Sequence, residues 1–162
     1  MSFKNTVTEL TKKLSDTRDI VEKINQISAM FKEIVGADRC SIFVYDEDTK
    51  SFWSAYIDGV SYIEIPSDQG LVGKVFAEKK PSIYNFVKNE QEHLSNIDEG
   101  VGYQTKSMLT APILNYKNDA LGVIQILNKH SNEKFVEEDL DILKSVLVYI
   151  VEFVEVSIAR KK

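Results

Sequence analysis

The chain contains a single cysteine, and none of its apolar runs approaches the length needed to span a membrane. One cysteine cannot form an internal disulfide, so we expect a reducing, cytoplasmic setting. Residues 1–15 also lack the apolar core of a signal peptide. These features predict no membrane partner.

Positive charge is scarce as well. Lys and Arg number 20 against 25 Asp and Glu, which gives a net charge of −5. A nucleic-acid surface needs clustered Lys and Arg, and the one basic cluster, Arg160 to Lys162, is typical of a helix C-terminus. We therefore expect no nucleic-acid partner. Residues 159–162 are interpreted as a basic tail that starts a linker to an output domain.

Groupings typical of catalysis are also missing. No Ser/His/Asp arrangement and no cluster of metal-ligating residues can be recognised, so we expect no catalytic residue and no metal site. Cys40 is predicted to be a small buried apolar residue, because a reactive thiol needs an electropositive neighbour. The sequence thus predicts that this chain is not itself an enzyme.

The chain does contain enough apolar sequence for a core, with 43% apolar residues in 162. No internal repeat or low-complexity linker divides it, which predicts one compact domain. Because the last predicted helix simply stops at Lys162, we expect the chain to be a piece of a longer protein.

A long helix is predicted from about Lys4 to Val35, with Gly36 as its stop. Its apolar positions alternate in steps of three and four, the spacing of a heptad seam. The seam consists of Val7, Leu10, Leu14, Thr17, Val21, Ile24, Ser28, Phe31 and Val35. Such a helix spans roughly 45 Å, more than one small sheet covers. We therefore interpret residues 1–19 as a helical extension that pairs with a partner chain.

The last helix, from about Val136, shows two apolar stripes. They consist of Leu140, Leu143, Leu147, Ile150 and Val154, and of Ile142, Val146, Tyr149, Phe153 and Val156. A helix that is apolar on two faces needs two partners. One is the sheet of its own domain, and the other is most simply a second copy. The prediction is a homodimer through the N- and C-terminal helices.

Gln125 interrupts an otherwise apolar strand at 122–127 with a carboxamide that has two donors and an acceptor. A buried amide is costly without partners, so either the core or a bound molecule supplies them. Lys129 follows this strand and Asp139 opens the last helix, with Phe135 between them. A Lys129–Asp139 pair would fix the geometry of this connection.

The spacing of Asn128, Lys129, Phe135 and Asp139 resembles the NKFDE signature of cyclic-nucleotide-binding GAF domains, found in phosphodiesterases and bacterial adenylyl cyclases. The resemblance extends over RCSIFVYDED, IPSDQGLVGKVF, GYQTKSMLTAPI and LGVIQILNK. One departure is Leu140, which stands where the signature has its last acidic residue.

The resemblance implies an α+β GAF fold for residues 20–158. Its six-stranded antiparallel sheet carries the N- and C-terminal helices on one face and a ligand pocket under a lid on the other. The segment 86–101 would supply the lid. The ligand-binding residues implied by the resemblance are Ser41, Tyr56, Ile57, Asp58, Leu71, Val72, Asp98, Thr105 and Gln125.

The function implied is that of a regulatory sensor that binds cAMP or cGMP, with no cofactor, and signals through dimer helices. We favour cAMP over cGMP because the amide of Gln125 can pair with an adenine edge. A diguanylate cyclase is the expected output domain.

Two alternatives stay open: a different small ligand, or a dimerisation scaffold with a degenerate pocket. Leu140 favours the scaffold, and so does Ile57, which stands where the resemblance implies a residue that stacks on the purine, a task suited to an aromatic ring. Some GAF proteins reduce free methionine sulfoxide, but that reaction cycles one thiol against resolving thiols. Cys40 has no second cysteine in this chain. The lack of a resolving thiol argues against the reductase.

Overall fold

The computed structural model describes residues 20–58, 62–85 and 105–161. The predicted extension at 1–19, the predicted lid at 86–101 and Asp98 lie outside these residues. The described elements are helix α1 (Ile20–Met30), a π-helical turn (Phe31–Val35), β1 (Ala37–Asp46), β2 (Ser51–Ile57), β3 (Glu64–Pro66), α2 (Gly70–Glu78), β4 (Ser82–Asn85), β5 (Ser107–Leu114), β6 (Ala120–Lys129), a 3-10 turn (His130–Asn132) and α3 (Glu137–Lys161).

The strands form one six-stranded sheet in the order β3-β2-β1-β6-β5-β4. Neighbouring strands are antiparallel throughout. The predicted α+β fold with a six-stranded antiparallel sheet is therefore confirmed. The predicted stop of the first helix is also found: Gly36 adopts φ 74°, and its N–H donates to the carbonyl of Phe31.

One face of the sheet is covered by α1 and α3, which also pack along each other. Their apolar residues and alternate strand residues form the main core. Its strand residues include Cys40, Ile42 and Val44 of β1, Leu109, Ala111 and Ile113 of β5, and Ile124 and Ile126 of β6. We call this side the helix face.

Both apolar stripes of α3 contribute to this core. Leu143 and Ile150 of the first stripe and Val146 and Phe153 of the second are buried in the same cluster as α1. Part of the second stripe is therefore covered inside the chain, which weakens the inference of a second copy from this stripe alone. Dimerisation stays a prediction.

The opposite side carries α2, and we call it the α2 face. Phe43 and Val123 of the sheet pack there with Val72 and Val75 of α2. Beside them lies a smaller cluster of three buried residues, one from α2 and two from the sheet: Leu71, Met108 and Leu127. The sheet thus has two differently covered faces.

The central strands β1 and β6 approach each other very closely at Gly122. A Cβ atom there would collide with the carbonyl oxygen of Phe43. Gly122 pairs with Val44 in the ladder, so the glycine permits the contact on which the centre of the sheet depends.

Candidate ligand-binding site

A row of side chains crosses the α2 face from β2 to β4. The register pairs Ile57 with Ser41, Ser41 with Gln125, Gln125 with Thr110, and Thr110 with Ser82. Directly paired residues of antiparallel strands point to the same face, so the five side chains share one side of the sheet. Four of them are polar, and we call the set Ile57, Ser41, Gln125, Thr110 and Ser82 the polar row.

The neighbours along each strand fix which face this is. Val123 and Leu127 stand two residues from Gln125 on β6, and Phe43 stands two residues from Ser41 on β1. All three belong to the clusters that contain α2 residues. Because side chains alternate along a strand, the polar row lies on the α2 face.

The middle of the polar row is fully enclosed. Ser41 is 3% exposed, and Gln125 and Thr110 are 0% exposed. Polar groups are seldom buried to this extent unless they have a structural or binding role, because removing them from water is costly. The polar row on this otherwise apolar face therefore indicates a structural or binding role.

Hydrogen bonding differs among these side chains. The hydroxyl of Thr110 donates to the carbonyl oxygen of Ile124 at 3.0 Å, so its lone pairs are left to accept. Gln125 is engaged in an interaction of its own. Its Oε1 atom, however, is buried and accepts no hydrogen bond from the part of the chain that the structure describes. The row thus presents acceptor groups next to each other across β6 and β5.

Most of the residues predicted to bind a ligand gather around this row. Ser41, Ile57 and Gln125 belong to it. Leu71 and Val72 are buried at the start of α2, against the same face. Thr105 is buried just before β5, five residues along the chain from Thr110 of the row, and is not among the residues that gather there. Their contact with a ligand stays a prediction.

Tyr56 and Asp58 lie elsewhere. A bulge in β2 shifts the register opposite Ile42 and Phe43, so that Tyr56 pairs with Ile42 and packs on the helix-face core. Asp58 also points to that side, where the hydroxyl of Tyr56 donates to its Oδ1 at 3.3 Å. The structure therefore separates these two residues from the polar row.

The Asp58 carboxylate is held by groups from three parts of the chain. Its Oδ2 accepts from the backbone N–H of Cys40 at 3.0 Å and from the hydroxyl of Ser28 at 3.3 Å. The ammonium of Lys32 lies 3.1 Å from the same oxygen. Asp58 thus joins the end of β2 to β1, α1 and the π-helical turn.

This arrangement also determines the chemistry of Cys40. Burial, reinforced by the nearby negative charge of Asp58, raises the pKa of the Cys40 thiol far above its ordinary value. Burial likewise raises the pKa of Tyr56. A thiol held in its neutral form is a poor nucleophile, which agrees with the interpretation of Cys40 as a buried apolar residue.

The connection from β6 to α3 contains the four signature residues. The ammonium of Lys129 lies 2.7 Å from Oδ2 of Asp139, and their side chains are only 13% and 8% exposed. The same oxygen accepts from the backbone N–H of Val136 at 2.9 Å, which caps the first turn of α3. Leu140, next in the chain, is buried in the main core. The departure from the signature at Leu140 therefore leaves the pair intact.

Asn128 and Asn85 hold this connection to the neighbouring strands. Asn128 adopts φ 56°, and its Oδ1 accepts from the backbone N–H groups of Lys106 and Ser107 at 2.6 and 3.1 Å. Oδ1 of Asn85 accepts from the backbone N–H of Phe135 at 3.1 Å. Phe135 is buried beneath. The start of β5 and the end of β4 are thus fixed to one loop.

A model of the GAF domain matches residues 19–152 of the chain. The chain belongs to the GAF domain family. The family match supports a regulatory role for the domain.

One known protein similar to this GAF domain is a phosphodiesterase. Dual 3',5'-cyclic-AMP and -GMP phosphodiesterase 11A of Takifugu rubripes is 28% identical in an alignment over 155 residues, and this alignment covers 87% of this chain. The chain spans only 17% of the length of that relative.

Solved structures show the same fold at lower identity. The GAF domain of a phosphoenolpyruvate-protein phosphotransferase from Coxiella burnetii has a TM-score of 0.82 at 15% identity, with 98% of this chain and 96% of that chain covered. Free methionine-R-sulfoxide reductase from Neisseria meningitidis, in complex with its substrate, has a TM-score of 0.75 at 18% identity, with 98% and 91% covered. At these identities the likeness concerns the fold alone.

Sequence reasoning misses three residues of this GAF domain. Thr110 and Ser82 are visible in the sequence only as parts of strands, because the alignment of a strand hydroxyl with Gln125 depends on register. Asn85 gives no local signal, since it acts on Phe135 through a contact 50 positions away in the chain.

Within the described residues of the GAF domain, no group of three or more His, Cys, Asp or Glu side chains is placed to hold a metal ion. In the same part of the chain, no helix combines the length and the apolar character needed to cross a membrane.

Proposed function

We propose that this GAF domain is a regulatory sensor that binds a cyclic nucleotide at the polar row and passes the binding signal to α1 and α3. The observation that carries the proposal is the row itself: buried polar side chains aligned across neighbouring strands, on the face away from the two long helices. A domain held together only by packing does not need such a row.

The chemistry of the row suits a purine nucleotide. An amide such as that of Gln125 can donate and accept in one plane, which matches the paired donor and acceptor on an adenine edge. On either side of it, the hydroxyl of Ser41 can donate to a phosphate oxygen, whereas the hydroxyl of Thr110, which already donates to Ile124, can accept from a ribose hydroxyl. Ile57 and the buried residues of α2 offer apolar surface to the base. This combination supports cAMP over cGMP.

The similar phosphodiesterase adds support from a separate source. That relative is named for both cAMP and cGMP, and it aligns with most of this chain. The Lys129–Asp139 pair, which the resemblance to the cyclic-nucleotide-binding subgroup implies, is formed here. Both observations favour the nucleotide class without choosing between the two nucleotides.

A sensor also needs an output. We propose that the domain pairs with a second copy through its N- and C-terminal helices and controls an attached enzyme. A diguanylate cyclase, expected from the sequence, is one such enzyme and stays a prediction. A ligand shifts the helices only by the difference between its affinities for their two arrangements.

A dimerisation scaffold without nucleotide is the second candidate. Ile57 favours it, because an aliphatic side chain stands at the end of the row where an aromatic ring would stack on a base. Leu140 does not, since its burial leaves the Lys129–Asp139 pair in place.

Calorimetric titration of the chain with cAMP, cGMP and AMP tests the proposal. We expect heat with cAMP, less with cGMP, and none with AMP, which has the base without the cyclic phosphate. Gln125→Leu should weaken cAMP binding by about tenfold or more, the loss of one good amide–base contact. Tyr116→Ala, at a residue that is 91% exposed, is the matched control and should bind normally. Absence of heat with all three nucleotides would support the scaffold.

A further inference from the structure

Ile57, the last residue of β2, and Asp58, which follows it, face opposite sides of the sheet. Ile57 pairs with Ser41 and belongs to the polar row. Asp58 turns its carboxylate to the helix face, where it accepts from Ser28 and pairs with Lys32. A displacement of this strand end at the row therefore moves the group that holds α1.

We propose that Asp58 is a positioning residue that couples the polar row to α1, so that events at the row change the placement of the signalling helices. This inference rests on the proposed sensor function and names its route of regulation. It assigns Asp58 a role on the side of the sheet where no ligand is expected.

The contacts of Asp58 suit such a role. Its side chain is only 19% exposed, and its carboxylate oxygens meet Ser28, Lys32, Tyr56 and the backbone N–H of Cys40. Charge-assisted hydrogen bonds of this kind are stronger than hydrogen bonds between neutral groups. Cys40 belongs to β1, which pairs with the strand of the row's central amide, so the same carboxylate also responds to the position of β1.

The helical segment on which Asp58 acts is irregular. Lys32 lies in the π-helical turn that follows α1, whereas Ser28 lies in α1 itself. π-helical turns are uncommon and frequently accompany functional sites. Asp58 thus spans a junction between two helical geometries.

From α1 the connection continues to α3. The ammonium of Lys23 lies 3.7 Å from Oε2 of Glu152 and 5.6 Å from the centre of the Tyr149 ring. Lys23 is about one turn and a half before Ser28 on the same helix. A shift of α1 is therefore transmitted to the middle of α3 through an ion pair and a cation–π contact.

Hydrogen exchange of backbone amides in residues 20–35, with and without cAMP, tests the coupling. In the wild-type chain we expect cAMP to change these exchange rates by about fivefold or more, the lower end of typical coupling between sites. Asp58→Asn keeps a side-chain acceptor for Cys40 but loses the charge pair with Lys32. It should bind cAMP with unchanged affinity and lose most of the exchange response. Asp46→Asn, the same change at the far end of β1, should behave as wild type.

A second arm needs no nucleotide and separates this proposal from the proposed function. Ser41→Val alters the polar row directly, and its effect on exchange at 20–35 is measured in a double-mutant cycle, once in the wild-type background and once in the Asp58→Asn background. If cAMP does not bind but the cycle shows coupling, the nucleotide proposal fails and the role of Asp58 stands. If Ser41→Val has the same effect in both backgrounds, or if Asp58→Asn responds to cAMP as wild type does, the role of Asp58 is overturned.

A third variant identifies the contact that carries the coupling. Lys32→Met leaves the Asp58 carboxylate and its hydrogen bonds to Ser28 and Cys40 in place but removes the ion pair. It should reproduce the loss of exchange response seen with Asp58→Asn. A full response in Lys32→Met would contradict the assignment of the coupling to the charge pair.

Discussion

The two faces of the sheet are made by alternate residues of the same strands, yet they differ in kind. On the helix face, β6 presents Ile124 and Ile126 to an apolar core shared with α1 and α3. On the α2 face, the same strand places Gln125 between Val123 and Leu127. Both faces are buried along their middle.

Burial alone therefore does not explain the difference. An apolar face gains about 25 cal/mol for each Å² removed from water, whereas buried polar groups cost free energy unless they are paired. Apolar residues on both faces of the sheet would therefore give the more stable domain. The helix face follows this rule and the α2 face departs from it along one row, which is where a binding function is to be sought.

The largest effect on stability is expected at Asp139, where the connection from β6 enters α3. Asp139→Ala leaves the ammonium of Lys129 with little exposure and no carboxylate, and it removes the cap on Val136. Breaking a buried pair from one side costs about 3–5 kcal/mol. Urea unfolding should show this loss in the free energy of unfolding.

The double variant Lys129→Met/Asp139→Leu separates pairing from packing. Because it leaves no unpaired charge, it should be more stable than Asp139→Ala. Equal losses in the single and double variants would show that the ion pair itself contributes little.

The next effect compares neighbours on β6. Ile126→Ala on the helix face opens a cavity in a fully buried site, and such changes cost about 2–5 kcal/mol. Gln125→Leu on the α2 face replaces a buried amide by an apolar side chain and should change the free energy of unfolding by less than about 1 kcal/mol. Thermal or urea unfolding of the two variants in parallel measures the contrast. A loss at Gln125 as large as that at Ile126 would make the polar row part of the stabilising core.

The third effect concerns a second member of the row. Thr110→Val removes the hydroxyl that donates to the carbonyl of Ile124 while keeping the branched shape. We expect a cost of about 1 kcal/mol in stability, typical of one hydrogen bond, and a several-fold loss of cAMP affinity. Ser107→Ala, which removes the hydroxyl that accepts from Lys129 N–H, is the control on the same strand and should leave affinity unchanged. Equal affinities for Thr110→Val and wild type would place the ligand elsewhere on the face.

Much of the fold follows from local patterns. The apolar run at 122–127 predicts the central strand, and the signature residues from Asn128 to Asp139 locate the connection to α3. Gly36 is correctly predicted to end the first helix because its left-handed φ is a local requirement. These features depend on a few consecutive residues, so a single sequence is sufficient to show them.

The site is less predictable because it depends on register. Counting alternate residues along β2 does not reveal the bulge opposite Ile42 and Phe43 that sends Tyr56 to the helix face. The alignment of Thr110 with Gln125 is set by pairing between β5 and β6, which no local pattern encodes. The same holds for Asp58, whose partners on α1 and the π-helical turn come from a helix that the sequence alone does not place against β2.

The smallest effect tests whether the apolar core of the helix face excludes an unpaired charge, and it uses Cys40. Burial holds the pKa of the folded thiol far above its ordinary value of 9.0, so above pH 9 the unfolded chain loses this proton while the folded chain keeps it. Stability therefore falls as the pH rises above 9, by up to about 1.4 kcal/mol for each pH unit, and is unaffected by this group at lower pH. Cys40→Ala should remove that contribution.

Urea unfolding of the wild type and Cys40→Ala at about pH 7, 9 and 10 measures it. Lysine and tyrosine side chains also titrate in this range, but they are common to both proteins and cancel in the difference between them. We expect that difference to be nearly constant up to the ordinary thiol pKa and to move in favour of Cys40→Ala at the highest pH. A difference that stays constant throughout would mean that the folded protein admits a thiolate at Cys40. The apolar core of the helix face would then tolerate an unpaired charge as the α2 face tolerates polar groups, and the distinction between the two faces would lose its physical basis.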